Sequence, residues 1–252
     1  MLALHGPQAV FSLRHMPSWL LLAFSAGSVN AAAFLACARF VTHVTGSATR
    51  IGLDVGQWWL MVDYALVLGA FVLGAMLSVL AIDGRHHRGR TPLYALPLAA
   101  VAVLLVTVAV TGHLGLLGVF GGQPEEPVDF VLLCALSLAM GLQNAAVATS
   151  TGLVVRTTHL TGPATDLGIN LATSLFAQGE ARRAAIRGTM LRAGKITAFI
   201  AGAIVMAAVA PRVGFLAFLL PAGNVLLAMG LSFTSLWNGN RLMVAVPVQL
   251  NR

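Results

Sequence analysis

The chain is predicted to be an all-α integral membrane protein. It should have six transmembrane helices in a 3+3 inverted-topology repeat, with broken segments after helices 1 and 4. Three observations carry this. Hydrophobic residues make up 58% of the 252 and charged residues only 9%, with a mean hydropathy of +0.87; a soluble domain carries about 25% charged residues. A polar motif occurs twice, once in each half. The basic residues collect in alternate loops.

Crossing the hydrocarbon takes about 20 mostly apolar residues. Six segments meet this: 17–38, 58–82, 93–119, 128–150, 189–210 and 213–233. Before the first, Arg14 and His15 followed by an apolar run resemble a secretory signal. Cleavage after it would destroy one motif copy, so an uncleaved first helix is expected. Arg85, Arg88 and Arg90 follow the second segment, and Arg182, Arg183, Arg187, Arg192 and Lys195 surround the start of the fifth. Glu125, Glu126 and Asp129 lie between the third and fourth. The positive-inside rule puts both termini and both arginine-rich stretches in the cytoplasm, with Arg212 an exception. It also explains the net charge of +7 without a nucleic-acid partner.

The motif sets the internal organisation. Gly27, Asn30, Ala31 and Ala32 recur as Gly141, Asn144, Ala145 and Ala146. Thr42, His43, Thr45, Gly46, Thr49 and Gly52 recur as Thr158, His159, Thr161, Gly162, Thr165 and Gly168. Each copy follows the first helix of a three-helix half, residues 1–122 and 123–252. Three crossings is an odd number, so the second half enters from the opposite face. Ala70, Gly74 and Ser78 form a small-residue stripe, as do Gly194, Ala198 and Gly202. These could join the halves or build a homo-oligomer. Cys37 and Cys134 lie in apolar runs and read as small buried hydrophobes.

Chemically, each motif reads as helix, unwound stretch, half-helix start. Thr161 is expected to cap a helix beginning near Gly162–Pro163. A helix start offers free amide hydrogens and a positive dipole end. Irregular backbone at membrane depth is tolerated where it lines a cavity or is buried in protein. The predicted solute-binding set is Asn30, His43, Thr45, Gly46, Thr49, Asn144, His159, Thr161, Gly162 and Thr165. The bland alternatives are asparagines as helix–helix glue and a purely architectural helix break. Arg50 in the first copy matches Asp166 in the second; the two could pair across the axis as a gate, or anchor opposite faces. Asp63 is ionisable near one membrane end. Arg39 and Arg156 precede the motif histidines and could attract an anion or snorkel. His86 and His87 are expected to be solvated. Nothing in the sequence indicates a cofactor or metal: there is no Walker A, HExxH, GxSxG or paired-cysteine pattern.

The G-x-x-N-A-A and T-H-x-T-G-x-x-T-x-x-G elements, with G-L-Q-N-A-A and R-T-T-H-L-T-G-x-x-T-D-L-G in the second half, resemble the YoaK-like family of bacterial membrane proteins. The resemblance spans essentially the whole chain. It implies a six-helix bacterial inner-membrane protein and supplies no assigned activity. Ser47-Ala48 departs from the asparagine the family would place after Thr-Gly.

The expected function is a small secondary transporter or channel. Its partners would be the lipid bilayer and a small polar or anionic solute held at the midplane. A membrane scaffold or sensor, or an intramembrane enzyme, are the alternatives. A cavity between the motifs would favour transport; a packed, dry midplane would favour the scaffold.

Overall fold

The computed structural model describes residues 3–12, 14–122 and 127–233, and among these all regular structure is helical. The helices are α1 (Pro7–Val10), α2 (Met16–Cys37), α3 (Val44–Leu53), α4 (Trp58–His87), α5 (Ala95–His113), α6 (Pro127–Ser150), α7 (Thr161–Phe176), α8 (Gly179–Val213) and α9 (Leu219–Ser232). A 3₁₀ turn, Gly214–Phe218, joins the last two. Helix is the form in which an apolar run satisfies its own backbone, as hydrocarbon requires. Helices α2, α4, α5 and α6 and the run Gly179–Ser232 are long and apolar enough to cross a membrane. The chain is therefore a multi-pass helical membrane protein.

Several boundaries differ from those read in the sequence. Helix α4 continues past residue 82 to His87, carrying Arg85, His86 and His87 on its last turn, where cations favour the helix dipole. Helix α5 stops at His113 rather than 119, ahead of left-handed backbone at Gly115 and Gly118. Helix α8 begins at Gly179 rather than 189. Arg182, Arg183 and Arg187 thus lie on a helix instead of a loop, as good helix formers allow.

The run Gly179–Ser232 turns back on itself. A Cβ on Gly194 would touch Leu20 at 3.2 Å, and further along both helices the Ser28 hydroxyl donates to the Gly202 carbonyl at 3.2 Å. So α8 runs parallel to α2. By contrast Ser25 donates to the Pro221 carbonyl, while Ser18 meets Ser232, so α9 runs antiparallel to α2. The reversal occurs at Gly214, with φ of 58°, a backbone glycine adopts without Cβ strain.

Packing pairs α2 with α8 and α9, and α6 with α4 and α5. Helix α3 lies on α4, α7 lies on α8, and α5 meets α9. Exchanging α2 with α6, α3 with α7, α4 with α8 and α5 with α9 leaves these pairs unchanged. Glycine makes the main crossings. A Cβ on Gly27 would fall 2.0 Å from the Phe199 carbonyl oxygen, and one on Gly202 would fall 2.1 Å from that of Phe24. At the α4–α6 crossing the same holds for Gly141 against Phe71, at 2.0 Å, and Gly74 against Leu138, at 2.2 Å. Gly74 and Gly202, the central and last residues of their respective stripes, therefore serve contacts within the chain. Such residues let backbones approach where lipid offers no hydrophobic drive between helices. Both cysteines are free thiols.

The N-terminal segment folds across the ends of α2, α6 and α9. The His5 amide donates to the Ser150 carbonyl, and Trp19 Nε1 donates to the Val10 carbonyl. The His5 ring packs on His15 at 4.2 Å and edge-on to Trp19 and Phe233. Burial, and secondarily the neighbouring His15, lower its pKa from the ordinary 6.5 to about 4. Once released, the segment would titrate normally and bind more protons over that interval. Docking therefore weakens as pH falls from about 6.5 toward 4, by roughly 2 kcal/mol at pH 5. Limited proteolysis should cut this segment faster at pH 5 than at pH 7.5, and His5→Leu should flatten the difference. Equal rates for the parent protein at the two values would refute this.

Candidate functional site

Each motif starts with an asparagine that reaches forward to the unwound stretch. Asn30 Oδ1 accepts from the amides of Val41 and Thr42, both at 3.1 Å. Asn144 Oδ1 accepts from the Thr158 amide at 3.4 Å. The side chain thus replaces partners the backbone loses on leaving the helix. This is neither helix–helix glue nor a free ligand: the carboxamide shapes the break and still faces the space beside it.

The His-x-Thr-Gly spacing also acquires a local reason. A Cβ at Gly46 would lie 2.5 Å from His43 Nδ1, and one at Gly162 would lie 2.9 Å from His159 Nε2. Each imidazole lies over the glycine of its own motif, where a side chain would have to push the ring aside. In the second copy the Gly162 amide donates to His159 Nε2 at 3.1 Å, so that nitrogen carries no hydrogen. The side chain that meets a free amide of this helix start is therefore that of His159, not that of Thr161. Thr161 is itself the first helical residue, after Leu160 at the cap position. Thr49 and Thr165 donate back to the carbonyls of Thr45 and Thr161, a bond common to hydroxyls within helices.

The two breaks meet. A cavity of about 530 Å³ lies between them, and its walls come in equivalent pairs: Asn30 with Asn144, Thr42 with Thr158, His43 with His159, and Thr45 with Thr161. Val44 with Leu160 and Phe71 with Phe199 extend the pairing, and Phe40 faces Arg156 in the last. Of the predicted set, Asn30, His43, Thr45, Asn144, His159 and Thr161 line this cavity. Gly46 and Thr49 instead line a second cavity of about 620 Å³ beneath α3, which shares Phe40, His43 and Thr45 with the first. Gly162 lies under its histidine, and Thr165 is exposed a turn into α7.

Of the two alternatives for Arg50 and Asp166, the pair across the axis does not form. Asp166 Oδ2 accepts from Arg192 Nε at 3.0 Å, and Arg50 lines the cavity beneath α3. Each half-helix lies on the following helix of its own half, so Asp166 finds its cation on α8. Arg39 does not stand alone: its guanidinium spans the rings of Tyr64 and Phe130 at 4.6 and 4.8 Å. Arg156 is exposed beside the central cavity.

Two polar residues not singled out in the sequence hold the second break. Lys195 is 3% exposed. Its Nζ donates to the carbonyls of Arg156 and His159. Gln143 is fully buried and donates to the Leu22 carbonyl and to Thr157 Oγ1, both at 3.0 Å. By the motif and crossing registers Lys195, Gln143 and Thr157 correspond to Val67, Val29 and Val41 in the first half. That break thus lacks these ties, although Ser137 donates to the Val41 carbonyl at 3.4 Å. One signal was available: Lys195 is the only lysine in the chain.

The family described as "Protein of unknown function (DUF1275)" matches residues 18–231, and the chain belongs to it. No curated protein matches the chain. No solved structure matches it either.

Proposed function

We propose that this member of the DUF1275 family is a small secondary transporter or channel whose solute site is the cavity between the two broken segments. The carrying observation is that cavity, walled by seven equivalent pairs, six from the two motif regions and one, Phe71 with Phe199, from α4 and α8. In this reading residues 1–122 and 123–252 are the three-pass, inverted-topology halves of a six-pass bacterial inner-membrane protein, with both termini cytoplasmic. The exchange-invariant packing and the opposite directions of α8 and α9 support it. Sites of such proteins lie at the interface of the repeats, where interrupted helices point their ends at the solute. His43, His159, Thr45 and Thr161 would contact it, and it would cross unchanged.

The asymmetry of the walls suggests which side is open. The central cavity adjoins the one beneath α3, whereas Lys195 and Gln143 tie down the break before α7. With the arginine-rich stretches inside, the α3 side faces away from the cytoplasm. Rocking the halves would exchange the open face.

The test is solute-dependent flux in liposomes containing purified protein. His159→Ala and Thr161→Val should each lower a measured flux about tenfold, the equivalent of one lost hydrogen bond. If both variants transport like the parent, the site is elsewhere.

A further inference from the structure

We propose that the cavity beneath α3 binds an organic carboxylate with a flat aromatic body, and that it is the entry subsite of the pathway. The second half of that statement rests on the transport reading; the binding itself does not.

The cavity, at about 620 Å³, suits a small organic molecule. Its polar walls carry positive charge. Arg39 precedes α3 and Arg50 lies within it, with His43 at its start, and none of the described lining residues is acidic. Asp63 lies within electrostatic reach of Arg39, which the Tyr64 and Phe130 rings also hold in place. Arg39 is thus a fixed part of the wall, its charge partly offset by Asp63. Arg50 is exposed, and its planar fork suits a carboxylate bidentately.

The other walls are aromatic. Phe34 and Phe40 stack at 4.6 Å with an interplanar angle of 16°, and Phe40 meets His43 edge-on at 6.3 Å. A parallel ring pair extends to a third flat ring by offset stacking. A hydrated inorganic anion would leave those faces unused, and a neutral arene would leave Arg50 unused. Duplication of the motif does not explain the arrangement. Arg39, Arg50, Phe34 and Phe40 correspond to Val155, Asp166, Ala148 and Arg156 in the second half. The site is built in one half only.

The full-length protein in an uncharged maltoside detergent should be titrated with 4-fluorobenzoate and followed by fluorine NMR. Saturable broadening is expected, with 4-fluorobenzyl alcohol binding far more weakly. Arg50→Gln and Phe40→Ala should each weaken binding about tenfold or more, with unchanged melting temperature, as loss of a charge-assisted pair or a stacking partner implies. Equal binding of the alcohol, or indifference to Arg50→Gln, would overturn the proposal. So would displacement by inorganic phosphate at matching concentration, which marks a plain anion site, or by added phosphatidylglycerol, which marks a lipid headgroup site. Carboxylate binding without flux of any solute would leave this site standing and remove the transport reading. Flux of another solute without carboxylate binding would do the reverse.

Discussion

Gly141→Ala should cost the protein most of its folded population in detergent. The added Cβ would stand 2.0 Å from the Phe71 carbonyl oxygen and 3.1 Å from the Ala75 amide nitrogen. Both are backbone atoms, and no side chain can rotate away to make room. Helices α4 and α6 would have to part by more than an ångström along their crossing. That forfeits dispersion contacts on both faces, since a gap of this size removes a large share of each attractive well. Overpacking usually costs about 1–3 kcal/mol, and a backbone-to-backbone clash belongs at or above the upper end. Gly27→Ala should act alike, against Phe199 on α8. The control is Gly168→Ala on α7, where a Cβ meets nothing within 4 Å and the gain in helix propensity is about 1 kcal/mol. Size-exclusion profiles and melting temperatures should separate the first two variants from the third. If Gly141→Ala melts with Gly168→Ala, the close crossing is wrong.

Lys195→Met should loosen the second break without unfolding the chain. Methionine keeps much of the aliphatic volume but donates nothing. The carbonyls of Arg156 and His159 then lose the ammonium that now bonds both. An unmet buried partner costs about 1–3 kcal/mol, enough to raise local opening by roughly 5- to 150-fold. Thr158 reports this well, being only 7% exposed while lining the central cavity. A cysteine placed there should react with a methanethiosulfonate reagent correspondingly faster in the Lys195→Met background. A cysteine at Thr42, in the first break, should not change. Equal acceleration at both positions would mean general loosening, and no change at either would mean that Lys195 holds nothing.

Much of this architecture is legible in the sequence, for reasons specific to a bilayer. Apolar length announces the crossings, because hydrocarbon admits little else. Duplication announces the halves. The recurrence of Gly27 as Gly141 survives in plain view because each sits at a backbone contact where no other residue fits. The role of the asparagines is less visible. Asn30 reaches Val41 and Thr42, a distance along the chain that only a sharp turn after the helix can close. The histidines read as ligands when seen in one dimension. In three they first cover the glycine of their own motif, which is a matter of ring placement rather than spacing.

What the sequence by itself determined is a helical membrane chain written twice, with a polar interruption in each copy. What tertiary structure alone decided is that the two interruptions share one cavity, and that the copies are held differently. Asp166 pairs with Arg192 rather than Arg50, Lys195 closes on carbonyls of the second break, and Arg39 leans on rings from two other helices. The physical reason is the same in each case. A charge takes the nearest partner that geometry allows, most strictly where it is buried, as Lys195 is. Which partner is nearest depends on how α2, α4, α6 and α8 cross, and the order of residues along the chain does not contain that.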